Sequence, residues 1–377
     1  MPNTSPILIF RTGSLGDHIV SLPCINLVAR RFPDRDRILL TNVPSHPKAP
    51  AAMSLYRGSG LIGRAIEFPA NFAGNNSGRA LSLIWEIRNA GAKTLVYLPS
   101  LQTSGIGPLL RDLTFFRLSG IRHIFGLPLR GRFQHMVLAS GMLESEASRL
   151  ARTLRALGEV NLGSSGSWDL HLSAAETESS RKLCQPLDGM PLFAIAIESS
   201  VQSKNWDLKN WQLLMPLLHK EFSEYGIIFL GALQDRISSD EVLRCWPGRA
   251  INLCGDSTPR ESAAIFSRCD MFFGVDSAPM HLAASRRVRC VIVFAARTLP
   301  GIWFPQGDGH EVLYSKTSCS NCRLDVCIKE KQRCLSVITP TDVLNAALRI
   351  RYHLLASRSH PLTTACENRR TFPLLNR

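Results

Sequence analysis

A glycine-containing turn near the start of the chain could bind an anionic ligand and supply a base. The segment is RTGSLGD at residues 11–17. Gly13 and Gly16 let the backbone approach a ligand closely, and the N–H groups that open a following helix point toward anionic oxygens. Asp17 could accept a proton, although its position would also suit a helix N-cap. The spacing matches neither GxGxxG nor GxxxxGK[ST], so plain turn chemistry remains the alternative.

A second segment, ESSVQSKNW at residues 198–206, directly follows the apolar run PLFAIAI. Ser199, Ser200 and Lys204 combine two hydroxyls with a compact positive charge, which suits phosphate oxygens. Ligands of open α/β sheets bind beyond the carboxyl ends of the strands. The segment therefore indicates a phosphate site, with a surface loop that caps the next helix as the alternative.

A third segment again follows an apolar run and opens a helix. It reads Asp276-Ser277-Ala278-Pro279-Met280-His281. Pro279 fits the first helical turn and leaves the neighbouring N–H groups available to an anion. A histidine beside an apolar helix is usually a packed residue, but the preceding Asp-Ser pair at a strand end favours a binding site that includes His281.

Four late cysteines have the spacing C-x2-C-x4-C-x6-C. They are Cys319, Cys322, Cys327 and Cys334. Thiolates at such intervals can bind zinc, and a CxxC pair can be redox-active. The short spacers differ from those of most zinc modules, so we expect structural thiols and no metal, with a metal site or a disulfide as the alternatives.

Short apolar strands alternate with amphipathic helices along the chain, which predicts parallel sheets covered on both faces. The pattern restarts after a polar segment at residues 184–191, which indicates two α/β domains. Predicted strands are 7–10, 38–42, 94–99, 191–197, 227–231, 250–255, 271–276 and 288–295. Predicted helices are 19–32, 143–158, 211–226, 238–246, 259–269 and 279–285.

The length and composition of the chain exclude several classes of protein. With 377 residues, 45% of them hydrophobic and 20% charged, the chain is neither disordered, collagen-like nor a disulfide miniprotein, and its length suits two domains. No apolar run approaches the roughly 18 residues that span a bilayer. The first residues lack the basic start of a signal peptide, so we expect a soluble, cytoplasmic protein.

The net charge of +14 favours an anionic partner such as a nucleic acid, a phosphorylated sugar or nucleotide, or an anionic membrane, although an arginine-rich surface alone would also explain it. Residues 1–185 carry 21 basic and 12 acidic side chains, a surplus of nine. The N-terminal half is therefore the expected location of an anion-facing surface.

The order of the motifs along the chain resembles that of a known protein family. GSLGD, SSVQSKNW and GVDSAPMHLAAS, in that order, resemble the heptosyltransferases of lipopolysaccharide core synthesis, glycosyltransferase family nine. Supporting matches are the Gly231…Asp235 turn, INLCG ahead of PRESAAIFSRCDMFFG, and Phe294 to Pro305. The resemblance covers roughly residues 6–350.

The resemblance implies an α/β protein of GT-B architecture, with two Rossmann-like domains facing across a cleft. Residues 1–187 would form the acceptor domain with the base, residues 188–350 the nucleotide-sugar domain, and residues 351–377 a loose tail. Asp17 matches the family's proposed general base. The residues that match donor contacts are Ser199, Ser200, Lys204, Asp235, Asp276, Ser277, Ala278 and His281. Glu198 departs from the family pattern, because a carboxylate near a diphosphate is unfavourable unless it points away.

The implied activity is inverting, metal-independent transfer of a heptose or related sugar from an ADP-sugar, without a cofactor. The acceptor would be a phosphorylated glycolipid at the inner face of the inner membrane. The enzyme would be a cytoplasmic monomer that can associate peripherally with that face. A nucleotide-sugar epimerase of the same architecture is one alternative. A basic nucleic-acid-binding protein is the other, although no nucleic-acid motif accompanies the charge.

Overall fold

The computed structural model describes most of the chain in two compact units. The described residues are 5–44, 50–69, 77–100, 106–127 and 135–359. The first unit comprises Met1–Met136 and Glu144–Ser173, and the second comprises Val137–Leu143 and Ala174–Arg377.

The division at residues 173 and 174 comes earlier than the expected boundary after residue 187. The helix Ala174–Cys184 belongs to the second unit. Its Glu176 carboxylate pairs with Arg260, and the Ser179 hydroxyl donates to Glu261 at 2.5 Å. These polar contacts attach the helix to the unit that follows it.

The first unit contains a five-stranded parallel sheet with the spatial order β3-β2-β1-β4-β5. The strands are β1 (Ile7–Phe10), β2 (Arg37–Asn42), β3 (Arg64–Phe68), β4 (Thr94–Tyr97) and β5 (His123–Phe125). Three of them were predicted, while the edge strands β3 and β5 were missed because they are partly exposed and neither forms a continuous apolar run. The chain order reverses between β1 and β4, and such a switch point is where open α/β sheets bind ligands.

Six α-helices accompany this sheet within the described residues of the first unit. They are α1 (Leu15–Val20), α2 (Leu22–Arg31), α3 (Met53–Tyr56), α4 (Ser77–Asn89), α5 (Ile106–Leu118) and α6 (Glu146–Thr153). The single helix predicted over residues 19–32 is wrong: helix formation starts at Leu15 and is interrupted at Ser21. The Ser21 hydroxyl donates to the His18 carbonyl at 2.8 Å, and Pro23 supplies no N–H to continue the first helix.

The second unit contains a six-stranded parallel sheet with the order β11-β10-β9-β6-β7-β8. Its strands are β6 (Leu192–Ala196), β7 (Gly226–Phe229), β8 (Ala250–Asn252), β9 (Met271–Val275), β10 (Arg289–Phe294) and β11 (Glu311–Tyr314). Every predicted strand of this half is confirmed, and β11 was missed. The order reverses between β6 and β9, which places a second switch point there.

As far as residue 359, seven α-helices accompany the second sheet. They are α7 (Ala174–Cys184), α8 (Leu208–Glu221), α9 (Arg236–Leu243), α10 (Pro259–Phe266), α11 (Ala278–Ser285), α12 (Arg333–Ser336) and α13 (Pro340–Ser359). Helix α10 opens with a capping box of Thr258 and Glu261 and with Pro259 in its first turn. The proline at the start of α10 is therefore placed as predicted.

The expected loose tail over residues 351–377 is wrong in its first part, because α13 continues to Ser359. The Arg351 guanidinium lies 4.5 Å from the centre of the Phe222 ring and donates to the Glu221 carbonyl. These contacts fasten the end of α13 to α8. Residues 360–377 lie outside the described part of the chain.

Apolar side chains from one face of the second sheet and from α8 and α13 form one large core, in which Trp211, Phe193 and Phe273 are fully buried. A smaller core lies between the first sheet and the helices α4 and α5, around Leu95 and Phe116. Within the described residues, no helix is long and apolar enough to cross a membrane.

Candidate functional site

The turn after β1 is shaped by a glycine that makes room for a carboxylate. Gly13 has φ of +128°, and a Cβ built on it would lie 2.3 Å from Cγ of Asp17. A side chain there would be strained by the backbone and would overlap Asp17. The Gly13 N–H donates to Oδ1 of Asn42 at the end of β2, at 2.7 Å. Gly16, by contrast, lies inside the first turn of α1 and not in the loop.

Asp17 is held by hydrogen bonds at the N-terminus of α1. Ser14 is the N-cap and Asp17 is the third helical residue, so the N-cap position considered for Asp17 is wrong. Its Oδ2 accepts from the Ser14 N–H at 2.8 Å and from the Ser14 hydroxyl at 2.9 Å. The side chain is 19% exposed. The carboxylate is thus oriented, negatively charged beside a helix N-terminus, and still accessible to a ligand.

A buried arginine contacts Asp17. Arg11 has no exposed surface, donates from Nε to the Asp17 carbonyl at 3.1 Å, and places Nη2 3.4 Å from Oδ1 of Asp17. Its Nη1 contacts Oε1 of Glu146 at 3.2 Å and the Leu98 carbonyl, at the end of β4, at 3.4 Å. Arg11 therefore connects the turn after β1 with the switch point of the first sheet.

Glu146 and Arg149 on α6 complete this buried ion cluster. Arg149 donates twice to Glu146, at 2.7 Å from both Nε and Nη2, and also to the Pro99 carbonyl. Burial alone would raise the pKa of Glu146, but Arg149 and Arg11 outweigh it and lower that pKa. His135 places Nε2 3.4 Å from Glu146. Sequence reasoning missed Glu146 and Arg149, since no local motif marks them.

The switch point of the second sheet brings two predicted segments together. β6 and β9 are parallel neighbours, with Ala196 opposite Gly274. A Cβ on Gly274 would lie 2.6 Å from Cζ of Phe272 and 2.9 Å from the Ala196 carbonyl oxygen, so a side chain there would overlap both the Phe272 ring and the neighbouring strand. The loop after β6 carries Lys204, and the turn after β9 begins at Asp276.

Lys204 and Asp276 form an ion pair in this position. Nζ of Lys204 lies 2.9 Å from Oδ2 of Asp276, and the side chains are 18% and 4% exposed. An ammonium group has three N–H donors, so this contact leaves donors for a further anion. The pairing confirms neither residue as a ligand contact, but it places a cation at the carboxyl edge where phosphates bind in such sheets.

The turn that opens α11 presents unused donors beside this pair. Ser277 is the N-cap with extended backbone, and its buried hydroxyl makes no hydrogen bond with the described residues. Ala278 is the first helical residue, and Pro279 stands in the first turn as predicted. A buried hydroxyl without a partner is costly. An anion bound at this helix N-terminus would satisfy both the hydroxyl and the free backbone N–H groups.

His281 is buried in the first turns of α11, next to the Trp303 ring at 6.2 Å between ring centres. Burial lowers its pKa to about 4, with Lys204 also lowering it and Asp276 opposing the shift. The imidazole is therefore neutral at pH 7, and it can offer a hydrogen bond to a ligand but not a positive charge.

The loop after β6 holds its two serines differently. The Ser199 N–H donates to Oδ1 of Asn205 at 2.7 Å, which closes the loop around the turn Gln202–Lys204. Ser200 is exposed at the tip of the loop. The Ser199 hydroxyl accepts from the Val201 N–H at 3.4 Å, and no described contact occupies the Ser200 hydroxyl. Both serines remain candidates for donor contacts.

Asp235 lies in the turn after β7, where it repeats the geometry of Asp17. Its Oδ2 accepts from the Ala232 N–H at 2.8 Å, and a Cβ on Gly231 would lie 2.6 Å from that oxygen. Burial raises the pKa of Asp235, and the neighbouring Glu198 carboxylate raises it further. Glu198 accepts from the Ser238 hydroxyl on α9 at 2.5 Å, so its charge is directed toward the Asp235 turn.

The segment with the four late cysteines packs against the Lys204 loop. The Ser203 hydroxyl donates to the Leu324 carbonyl, and Nε2 of Gln332 donates to the carbonyls of Gln202 and Asn205 at 2.8 and 2.9 Å. The Gln332 N–H contacts Sγ of Cys327 at 3.3 Å. Among the described residues, no three His, Cys, Asp or Glu side chains are arranged to hold a metal ion.

The fold belongs to the class of GT-B glycosyltransferases, which have two Rossmann-like units. The chain is similar to a family 9 glycosyltransferase from Veillonella parvula, with a TM-score of 0.68 and 16% identity over 94% of this chain and 99% of that one. It is also similar to ADP-heptose lipopolysaccharide heptosyltransferase II of Escherichia coli, with a TM-score of 0.61 and 16% identity over 93% and 99% of the two chains.

The family follows from the sequence. The profile of glycosyltransferase family 9 (heptosyltransferase) matches residues 129–333, more than half of the chain. The chain belongs to this family. It is 28% identical over 98 residues to lipooligosaccharide heptosyltransferase 2 of Campylobacter jejuni, a match that covers 26% of this chain. The chain spans less than half the length of the curated relatives it matches, 30% and 45%.

Proposed function

We propose that the protein transfers a heptose or a related sugar from an ADP-sugar to a phosphorylated glycan acceptor of the lipopolysaccharide core type. The observation that carries the proposal is the buried Ser277 hydroxyl without a partner, next to the Lys204–Asp276 pair at the start of α11. Family membership favours transfer over the epimerase alternative.

The second unit would bind the donor. The diphosphate would lie at the N-terminus of α11, where Ser277 and the first backbone N–H groups donate to its oxygens and Lys204 supplies a positive charge. Asp235 would contact the ribose hydroxyls from the neighbouring strand end. His281, neutral at pH 7 because burial lowers its pKa to about 4, would orient the phosphates without adding charge.

The first unit would supply the base. The acceptor hydroxyl oxygen attacks the anomeric carbon, its proton passes to Asp17, and the bond from that carbon to the diphosphate breaks with inversion. Ser14 and Arg11 keep the carboxylate in one orientation, which removes the cost of ordering it during the reaction. Negative charge grows on the leaving diphosphate, where Lys204 and the α11 donors stabilise it. We propose that no metal is needed.

The test is incubation with ADP-heptose and lipopolysaccharide core acceptors, followed by mass spectrometry. A gain of one heptose on the acceptor is expected, and other nucleotide-sugars define the donor range. Incubation with the donor alone distinguishes an epimerase, which would convert the sugar without an acceptor. No transfer to any core acceptor, together with such conversion, would reject the proposal.

A further inference from the structure

Two adjacent helices of the first unit expose large apolar side chains. On α4, Leu81 and Trp85 are 66% and 67% exposed, and on α5, Leu110 and Leu118 are 58% and 52% exposed. Nε of Arg88, near the end of α4, donates to the Leu118 carbonyl at 2.7 Å. That bond joins the two helices, and we call their outer surface the α4–α5 face.

These exposed side chains do not belong to the hydrophobic core, because other side chains of both helices already pack against the sheet. α4 buries Leu83 and Ile87 against the sheet, and α5 buries Phe116. Leu81 and Trp85 are four residues apart and lie about 200° around the helix from the buried pair, on the opposite side. The face is therefore a second apolar stripe that points away from the sheet.

Arginines surround the apolar side chains. Within the described residues 77–100 and 106–127, the exposed arginines are Arg79, Arg88, Arg111, Arg117 and Arg122. Arg88, Arg111 and Arg117 lie on the same side of their helices as the exposed apolar side chains, whereas Arg79 lies about 200° around α4 from Leu81, toward the buried side. Glu86 is the exposed acidic residue of these ranges. Asp112 is largely buried, accepts from the Tyr97 hydroxyl at 2.7 Å and pairs with Arg111. The outer surface thus combines apolar contact area with a strong excess of positive charge.

We propose that the α4–α5 face docks the protein on the surface of an anionic phospholipid bilayer. Arginine together with exposed tryptophan and leucine is the composition of surfaces that lie at the level of lipid headgroups. Each basic residue near such a surface gains binding free energy from the anionic lipids. A second copy of the chain fits less well, because it would bring a net charge of +14 and the same arginines against those of the α4–α5 face.

The experiment is co-sedimentation with vesicles of phosphatidylcholine alone and of equal parts phosphatidylcholine and phosphatidylglycerol, without donor or acceptor. Binding is expected with the anionic vesicles only and should weaken as salt screens the arginines. Trp85 is the strongly exposed tryptophan of the six in the chain, so its fluorescence should shift to the blue on binding. Trp85→Phe should remove that shift while binding persists.

Two sets of variants test whether the α4–α5 face is the surface that binds the vesicles. Leu81→Gln with Trp85→Gln should weaken vesicle binding about tenfold or more, while Leu213→Gln on α8, which is also half exposed, should not. Arg111→Gln with Arg117→Gln should weaken vesicle binding by about fivefold per arginine. Lys182→Gln with Arg333→Gln removes the same charge from exposed positions of the second unit and should have less effect.

Three results would overturn the proposal. One is the absence of binding to anionic vesicles, and another is an equal loss for the α4–α5 and control variants. The third is a dimer in light scattering that Leu81→Gln with Trp85→Gln converts to monomers, since the face would then bind a second copy. Vesicle binding needs no sugar transfer, so its failure is independent of the proposed activity.

Discussion

Nη1 of Arg11 lies 3.2 Å from Oε1 of Glu146, although 135 residues separate the two in the chain, and both side chains are buried. The contact joins the turn that carries Asp17 to helix α6. Glu146 also pairs with Arg149, so two buried guanidinium groups share its carboxylate, and Arg11 pairs with Asp17 in addition. The cluster therefore stabilises the first unit and holds the candidate base through Arg11.

Glu146→Gln should destabilise the protein by about 3–5 kcal/mol, because it leaves the buried Arg149 guanidinium without the counter-charge of Glu146 and Arg11 with Asp17 alone. Urea unfolding followed by circular dichroism would measure the loss. The control is Glu178→Gln, which removes a carboxylate of the same type from an exposed pair with Arg181 and should leave the unfolding midpoint unchanged. Equal stability of the Glu146 variant and the native protein would contradict the structural role of the cluster.

Asp17→Asn should slow sugar transfer by about 10²–10⁴-fold, the contribution of a positioned base, while donor binding stays intact. Asparagine can still accept the hydrogen bonds from Ser14, so the turn should persist. Ser14→Ala provides the control, because it removes one hydrogen bond and keeps the carboxylate. Single-turnover transfer rates, measured by mass spectrometry, would show whether Asp17 acts as the base. A normal rate for Asp17→Asn would mean that Asp17 is only a capping residue.

Lys204→Ala should weaken the binding of ADP by about 1.5–3 kcal/mol, the range for hydrogen bonds to charged groups. The binding of adenosine, which lacks phosphates, should weaken far less. Calorimetry can measure the affinity of the variant for each of the two ligands. Lys209→Ala, an exposed lysine at the start of α8, is the matched control for the loss of charge. An equal loss for ADP and adenosine would place Lys204 away from the phosphates.

Stability should fall with acidification below about pH 6.5, because three buried histidines resist protonation. Burial lowers the pKa of His18 to about 3 and those of His281 and His310 to about 4. The unfolded chain therefore binds more protons between these values and the ordinary pKa near 6.5, and stability is lost as pH falls through that window.

The expected slope is about 1.4 kcal/mol per pH unit for each of these histidines. Denaturant unfolding at several pH values would measure it. His310→Gln should reduce the slope by one histidine's share, whereas His123→Gln, at an exposed position, should leave it unchanged. A flat stability profile between pH 6.5 and 5 would be inconsistent with neutral buried histidines.

Protein purified without chelators should contain no stoichiometric metal on the four late cysteines. Cys319 shares a hydrogen bond with the Thr317 hydroxyl, and Cys327 accepts one from the Gln332 N–H. Elemental analysis is the measurement, with Cys319→Ser combined with Cys322→Ser as the comparison. About one zinc or iron per chain that disappears in this variant would refute the expectation.

Local patterns in the sequence determined the α/β class, most strands of both sheets and the positions of the strand-end segments. Apolar runs, prolines in first helical turns and glycines after strands affect the conformation of residues only a few positions away. Their structural meaning can therefore be read from the sequence before the tertiary structure is known. Family membership, which the order of GSLGD, SSVQSKNW and GVDSAPMHLAAS predicted, is confirmed by the family profile.

Only the tertiary structure decided which of these segments meet. Lys204 pairs with Asp276 because β6 and β9 become neighbours in the sheet, and Arg11 pairs with Glu146 because α6 returns to the end of β1. The same holds for Asp17, whose place as the third residue of α1 depends on where the helix begins. Charge pairing between distant residues depends on chain topology, and neither residue type nor local spacing encodes the partner.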